Sequence, residues 1–175
     1  RLASEPTAAE LKPFIDHARQ TVTSSTGELR LDYRRGVLRI NAARAQGVSG
    51  QLQAAGRIET QDLVIASEME LGHIVVVPLD NQPLAVSQKM LLQVMSEEKA
   101  SGFETESVAA GVRRIVNIGT DPWLVKEYKG LVTFKRGDAA QLKVTALDAN
   151  GYAESDMGSA EQVKLQPRTL YYLIS

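Results

Sequence analysis

The sequence contains no cysteine, and only 5% of it is aromatic. Without cysteine there are no disulfides, no thiolate chemistry and no cysteine-ligated zinc. The two histidines, His17 and His73, show neither H-x-H nor H-x-x-x-H spacing, and a zinc site built on two histidines needs carboxylates close by. Both are read as structural. No apolar run approaches the ~20 residues that span a bilayer, so no membrane insertion is expected. Twenty Lys and Arg stand against 21 Asp and Glu, a net charge of −1. That is not the basic surplus of a nucleic-acid surface, and no nucleic-acid partner is expected.

Catalytic signatures are also missing. Gly47-Val48-Ser49-Gly50 falls one residue short of the G-x-S-x-G nucleophile elbow, and that elbow needs a strand-to-helix turn. No lysine follows to make a phosphate loop. Glu68 and Glu70 would share one face of an extended chain, about 7 Å apart. Glu97, Glu98, Glu104 and Glu106 form a second acidic cluster. Both clusters read as charged strand edges, which discourage strand-to-strand aggregation. Asp148-Ala149-Asn150-Gly151 has calcium-loop residues but is first of all a turn. The expectation is a chain with no catalytic residue, no cofactor and no metal.

What is present points to β-structure. At 175 residues, 43% hydrophobic and 23% charged, the chain suits one domain with a core of its own. It opens at Arg1 without a methionine or a signal sequence and is read as a piece of a longer or processed protein. Residues 1–23 form a helical lead-in or linker, with Thr7 as cap, Glu10 three residues on, and Pro13 limiting the first helix. From Gly27 the period becomes two. Leu29, Leu31 and Tyr33 share a face, and Leu38, Ile40 and Ala42 repeat the pattern after Tyr33-Arg34-Arg35-Gly36, a hairpin loop with Gly36 at positive φ. Further strands are expected at 62–67, 73–79, 90–96, 114–118, 131–135, 141–147, 162–165 and 169–174. His73–Val77 and Met90–Met95 are apolar on both faces, as central strands are. Tyr171 and Tyr172 point to opposite faces, so at least one belongs to the core. No long amphipathic helix follows residue 27, which excludes a βαβ fold. The fold class is all-β: an antiparallel sandwich of about 10–12 strands over residues 24–175.

Trp123, in Thr120-Asp121-Pro122-Trp123-Leu124, is the single tryptophan. Next to Leu124 and Val125 it reads as core edge. Exposed, it would be a flat platform for a saccharide ring.

Several segments, in order, resemble a known pattern. Thr26-Gly27-Glu28-Leu29-Arg30-Leu31-Asp32 is similar to "T-G-E-L-x-W-D". Ala43-Arg44-Ala45-Gln46 with Gly50 is similar to "P-R-T-Q-x-x-x-G". Pro78-Leu79-Asp80-Asn81-Gln82-Pro83 with Ser87 resembles "S-L-D-G-x-P-I-x-x-S". Leu124-Val125-Lys126-Glu127 with Gly130 resembles "L-V-E-P-V-x-G". Ala146-Leu147-Asp148 with Gly151 resembles "A-L-D-x-x-G", and Thr169-Leu170-Tyr171-Tyr172-Leu173-Ile174 resembles "T-L-W-Y-E-I". Together, over residues 24–175, they resemble the C-terminal β-sandwich accessory domain of large bacterial (β/α)₈-barrel glycoside hydrolases. The chain departs from the pattern at Asn81-Gln82, where an Asp-Gly turn is usual, and at Leu31, where the family has tryptophan.

The resemblance implies a non-catalytic domain that packs on and stabilises a catalytic barrel carried elsewhere in the parent chain, in a secreted or periplasmic protein. That reading requires an apolar patch on one outer surface. Two alternatives stand beside it. One is a carbohydrate-binding module that takes polysaccharide on Trp123. The other is a stand-alone surface domain for protein interaction.

Overall fold

The computed structural model describes residues 8–175. Helix α1 (Ala8–Leu11) runs into a 3-10 turn at Lys12–Phe14, with Pro13 in its first turn. Thr7 lies outside the described residues. The chain then builds β1 (Ile15–Asp16), β2 (Thr21–Thr23), β3 (Leu29–Asp32), β4 (Val37–Ala42) and β5 (Ala45–Gly50). A single-turn helix, α2 (Leu52–Ala55), leads to β6 (Arg57–Glu59), β7 (Leu63–Ala66), β8 (Gly72–Pro78) and β9 (Met90–Ser96). Next come β10 (Glu98–Ser101), β11 (Glu104–Ala109), β12 (Val112–Asn117) and β13 (Thr120–Val125). The last strands are β14 (Leu131–Phe134), β15 (Lys143–Leu147), β16 (Ala153–Ser159), β17 (Val163–Lys164) and β18 (Tyr171–Ile174).

All pairings are antiparallel. One sheet has ten strands in the order β1-β2-β3-β4-β5-β8-β9-β18-β15-β16, and a second has four in the order β17-β14-β7-β6. The fold is the expected all-β, sandwich-like one with a short helical N-terminal piece. β8 and β9 lie sixth and seventh of the ten, as their two-sided apolar character implies. The remaining four strands form a ribbon, β10 with β13 and β11 with β12, inserted between β9 and β14.

Local chemistry sets the best-specified hairpin. Gly36 takes φ +68, a conformation open to glycine without a Cβ penalty. The Asp32 carboxylate accepts the Arg35 N–H at 3.0 Å, closing the turn. The register then pairs Leu29 with Ile40 and Leu31 with Leu38.

The core lies between the two sheets. Val48, Ile74, Val76, Leu92, Val94, Val144, Tyr172 and Ile174 come from the large sheet, and Leu63, Ile65, Val132, Phe134 and Val163 from the small one. A buried polar link joins the layers near one edge. The Gln46 amide donates to Asp62 at 2.5 Å, and its carbonyl accepts from Thr60 Oγ1 at 2.7 Å and from the Asp62 N–H at 2.8 Å. Each polar group there has a partner, as a buried network needs. Tyr172 is wholly buried and Tyr171 half-buried on the opposite face. The Tyr172 hydroxyl accepts the Gln166 N–H at 2.6 Å. Burial pushes the phenols of Tyr172 and Tyr128 up from their ordinary value.

Two details differ from the sequence reading. Residues 15–23 are not a helical lead-in: β1 and β2 extend the large sheet, with Thr21 opposite Asp32 and Val22 opposite Leu31. Ladder pairing with β3 outweighs the weak local preference of Ile15–Thr23. The described strands also number eighteen. The additional ones are β5, inside the large sheet, where Gly47 and Gly50 break the apolar pattern, and the short or exposed strands towards the sheet edges and in the ribbon, where no buried face imposes the alternation that marks a strand in sequence.

Candidate docking surface

Strand alternation sends one side chain in two into the core and the next to the opposite face. In most sandwiches that opposite face is polar. Here it is not. The register lines up Val22, Leu31, Leu38, Ser49, His73 and Met95 in one row across β2, β3, β4, β5, β8 and β9. A second row runs Leu29, Ile40, Gly47, Val75, Gln93, Tyr171 and Leu147. A third pairs Val77 with Leu91, Leu91 with Leu173, and Leu173 with Thr145. The four-stranded sheet covers only the inner face. Of these residues, Leu29 and Leu31 are exposed, and Leu38, Ile40, Val75, Val77, Leu91, Met95, Tyr171 and Leu173 are half-buried by their own row neighbours. Apart from Met95, whose Sδ accepts from the buried Tyr128 hydroxyl at 3.8 Å, none of them packs against the core cluster. The result is one largely apolar face crossing eight strands, from β2 to β15.

Four polar residues interrupt it, Gln93 and Thr145 singly and Ser49 with His73 as a pair. Ser49 and His73 lie opposite each other and share a hydrogen bond of 2.7 Å between Oγ and Nδ1. No carboxylate completes a relay to His73 among its hydrogen bonds, and no strand-to-helix elbow presents Ser49, which sits inside β5. The pair neutralises two polar groups within an apolar surface.

The ribbon adds a second unpartnered apolar element. All residues of β12 and β13 are exposed, including Val112, Ile115, Val116, Trp123, Leu124 and Val125. A two-stranded ribbon alone is marginal in water. Cross-strand charge supports this one: Arg114 pairs with Glu106, and at its base Lys126 pairs with Glu97 and, at 3.5 Å, with Glu70. The hydrogen bond between Lys126 and Glu97 raises the lysine and lowers the carboxyl relative to their ordinary values.

The other residues singled out in the sequence are scattered. Trp123 is 62% exposed, on β13 opposite Ala100, one residue after the cis Asp121–Pro122 bond. It is not core edge, because the ribbon has no second layer. His17 is exposed in the β1–β2 turn, far along the sheet from His73. Glu68 and Glu70 are exposed in the β7–β8 connection rather than on a strand. Asp148 Oδ1 accepts the N–H groups of Asn150 and Tyr152, both at 2.9 Å, which makes this tetrapeptide a turn. Among the described residues no three His, Asp or Glu side chains converge as metal ligands, and no helix is long and apolar enough to cross a membrane.

The outer apolar face is partly legible in sequence. The two-sided apolar character of β8 and β9 is plain there, but it implies burial on both sides, and only the register shows that one side has no cover. The chain matches no protein-family model, no curated protein and no solved structure.

Proposed function

We propose that this chain is a non-catalytic accessory β-sandwich that docks on, and stabilises, a companion catalytic domain of a secreted glycoside hydrolase-like protein. The observation that carries this reading is the outer face of the ten-stranded sheet, largely apolar from Val22 to Tyr171 and covered by no second layer. Contiguous apolar surface of this extent marks an interaction site in a protein that remains in water. The ribbon, which exposes Ile115, Val116, Trp123 and Leu124 without a core of its own, fits the same role as a clasp. The barrel as occupant rests on the resemblance stated above.

The test uses the polypeptide encoded directly upstream of Arg1, expressed separately and mixed with this chain. The two pieces are expected to co-purify, and the chain alone to hydrolyse no glycoside. Placing three like charges on the outer face, Leu38→Asp, Val75→Asp and Leu173→Asp, is expected to abolish co-purification while the core stays folded. An upstream sequence lacking an eight-fold βα pattern, or docking indifferent to the three aspartates, sinks the reading.

The exposure of Trp123 favours a second reading, in which the ribbon presents a saccharide platform. Titration of polysaccharides against wild type and Trp123→Ala decides it. A platform predicts saturable binding that the substitution weakens at least tenfold, and binding that ignores the substitution removes Trp123 from consideration.

A further inference from the structure

The large sheet is wider than the small one. β6, the edge of the four-stranded layer, meets β4 through Arg39 and the Glu59 carbonyl, and β2 and β3 continue the large sheet beyond that contact. The register places Thr23, Arg30, Arg39 and Val48 in one row on that face, and Thr21, Asp32 and Val37 in the next. Val48 and Val37 belong to the core. Arg30 and Arg39 therefore lie directly opposite each other on the core side of the sheet, where it runs out of a covering layer. Like charges in that relation repel.

A groove of about 740 Å³ follows this overhang, within the usual size of ligand clefts. Arg19, Arg30, Arg34, Arg35 and Arg39 all line it, with Asp32 as the one carboxylate. Arg19 is paired with Asp16 at 3.3 Å, and Arg35 with Asp32 at 3.7 Å. Among the described residues Arg30 and Arg34 have no ion-pair partner. Arg39 reaches only the Glu59 carbonyl, at 3.3 Å, and its Nε is buried with no acceptor. A buried N–H on a guanidinium without an acceptor is costly. It sits within a groove that concentrates positive charge in a chain of net charge −1. Three observations converge: opposed arginines, an orphaned buried Nε and a local cationic surplus. The opposed arginines and the cationic surplus are both relieved by one bound oxyanion group, which planar guanidinium forks bind bidentately.

The rest of the lining narrows the ligand. Val37, Ala55 and Ile58 give an apolar floor suited to the C–H face of a pyranose ring. The Thr21 hydroxyl and the Asp32 carboxylate offer acceptors for hydroxyl donors. No aromatic side chain lines the groove, so there is no surface on which nucleobases stack. We infer that this groove binds an acidic oligosaccharide, with sulfate or carboxylate groups held between Arg30, Arg39 and Arg34.

Isothermal titration of the intact chain tests this with a heparin-derived hexasaccharide, hexagalacturonate and maltohexaose. Either acidic saccharide, and not the neutral one, is expected to bind saturably, and comparing the two separates sulfate from carboxylate recognition. Arg30→Thr and Arg39→Thr are each expected to weaken binding tenfold or more. Arg57→Thr removes the same charge outside the groove, at a residue already paired with Glu59 at 2.7 Å, and is expected to change affinity less than twofold. Arg30 is exposed on β3, so its threonine variant keeps the fold, and relief of repulsion with Arg39 should leave its melting temperature equal or higher. Three results overturn the inference: no saturable binding of either acidic saccharide, equal loss in Arg57→Thr, or tighter binding of a thymidine oligonucleotide or a hexaglutamate peptide at the same salt concentration.

Discussion

Gly47→Ala is expected to destabilise the protein by about 3 kcal/mol or more, close to the upper end of what overpacking a well-ordered interior costs. Gly47 sits inside β5, paired with Ile40 on one side and Val75 on the other. A Cβ built there would lie 2.2 Å from the Ile74 carbonyl oxygen and 2.8 Å from the Val75 Cα. Both atoms are backbone of β8, so no side-chain rotation relieves the overlap. Either β8 moves away from β5 and the central ladder weakens, or the strand bulges and its outer face shifts register. The cause is purely steric, which gives a clean control. At Gly137, in the loop after β14, a Cβ would have nothing within 4 Å, and φ is not positive. Gly137→Ala should therefore stay within about 1 kcal/mol of the parent, on the stabilising side if it moves, through reduced freedom of the unfolded chain. Urea unfolding of the two variants checks this. A Gly47→Ala stability within about 0.5 kcal/mol of wild type would show that β5 and β8 are not held as close as the structure places them.

Much of this architecture is legible where one face is buried and the other is not, or where a turn demands a particular residue. The β3–β4 hairpin is readable because Gly36 and the Leu29–Leu31 and Leu38–Ile40 alternations agree with one another. β8 and β9 are readable as central strands because their apolar runs are continuous. The ribbon is not, apart from 114–118, because β10 to β13 bury no face and so impose no periodicity. The edge strands β1 and β2 are hidden for a related reason: residues 15–23 become strands only by pairing with β3, a contact that local propensity does not encode.

The candidate sites show the same limit more sharply. Leu38, Val75 and Leu173 each look like ordinary strand residues. Only register shows that they share one face and that no layer covers it. Arg30 and Arg39 are nine positions apart in sequence, and individually each resembles a solvated charge. The hairpin register sets them side by side, and the narrowness of the second sheet leaves them in an open groove. Trp123 stands out in sequence as the single tryptophan, yet its setting depends on a ribbon that no periodicity announces. Sequence pattern thus reveals which residues can be buried, whereas the sites depend on where the second sheet stops.

Arg136→Ala is expected to cost about 2–4 kcal/mol, chiefly because it leaves two buried carbonyl acceptors unsatisfied at about 1–3 kcal/mol each. Only 6% of the Arg136 side chain is exposed. Its guanidinium forks onto Asp138, with Nε to Oδ1 at 2.5 Å and Nη2 to Oδ2 at 2.7 Å. Nη1 meanwhile donates to the carbonyls of Leu84 at 3.0 Å and Ser87 at 2.7 Å. Those carbonyls belong to the β8–β9 connection, which Asp80 holds from within by accepting from Ser87 Oγ and from the N–H groups of Gln82 and Gln88. Leu84 and Ser87 are themselves buried, so alanine at 136 strands two carbonyl oxygens away from water as well as removing a charge. Lysine keeps the charge but has no planar fork, and recovers only part of the loss. The pH dependence follows from Asp138, whose carboxyl the hydrogen bond from Arg136 holds below its ordinary value of 3.8. A lowered folded-state pKa means its contribution is fully present above the unfolded value and is lost as pH falls through the folded one. Asp138→Asn should therefore lose stability at neutral pH, where the carboxylate's contribution is fully present, and converge on wild type below about pH 4, which flattens the acid limb of the stability curve. Urea midpoints at pH 7 and pH 3 for the three variants separate these effects. Equal losses at pH 7 from the alanine and lysine variants would show that the fork geometry contributes nothing, and an unchanged midpoint in Arg136→Ala would show that the loop closes without it.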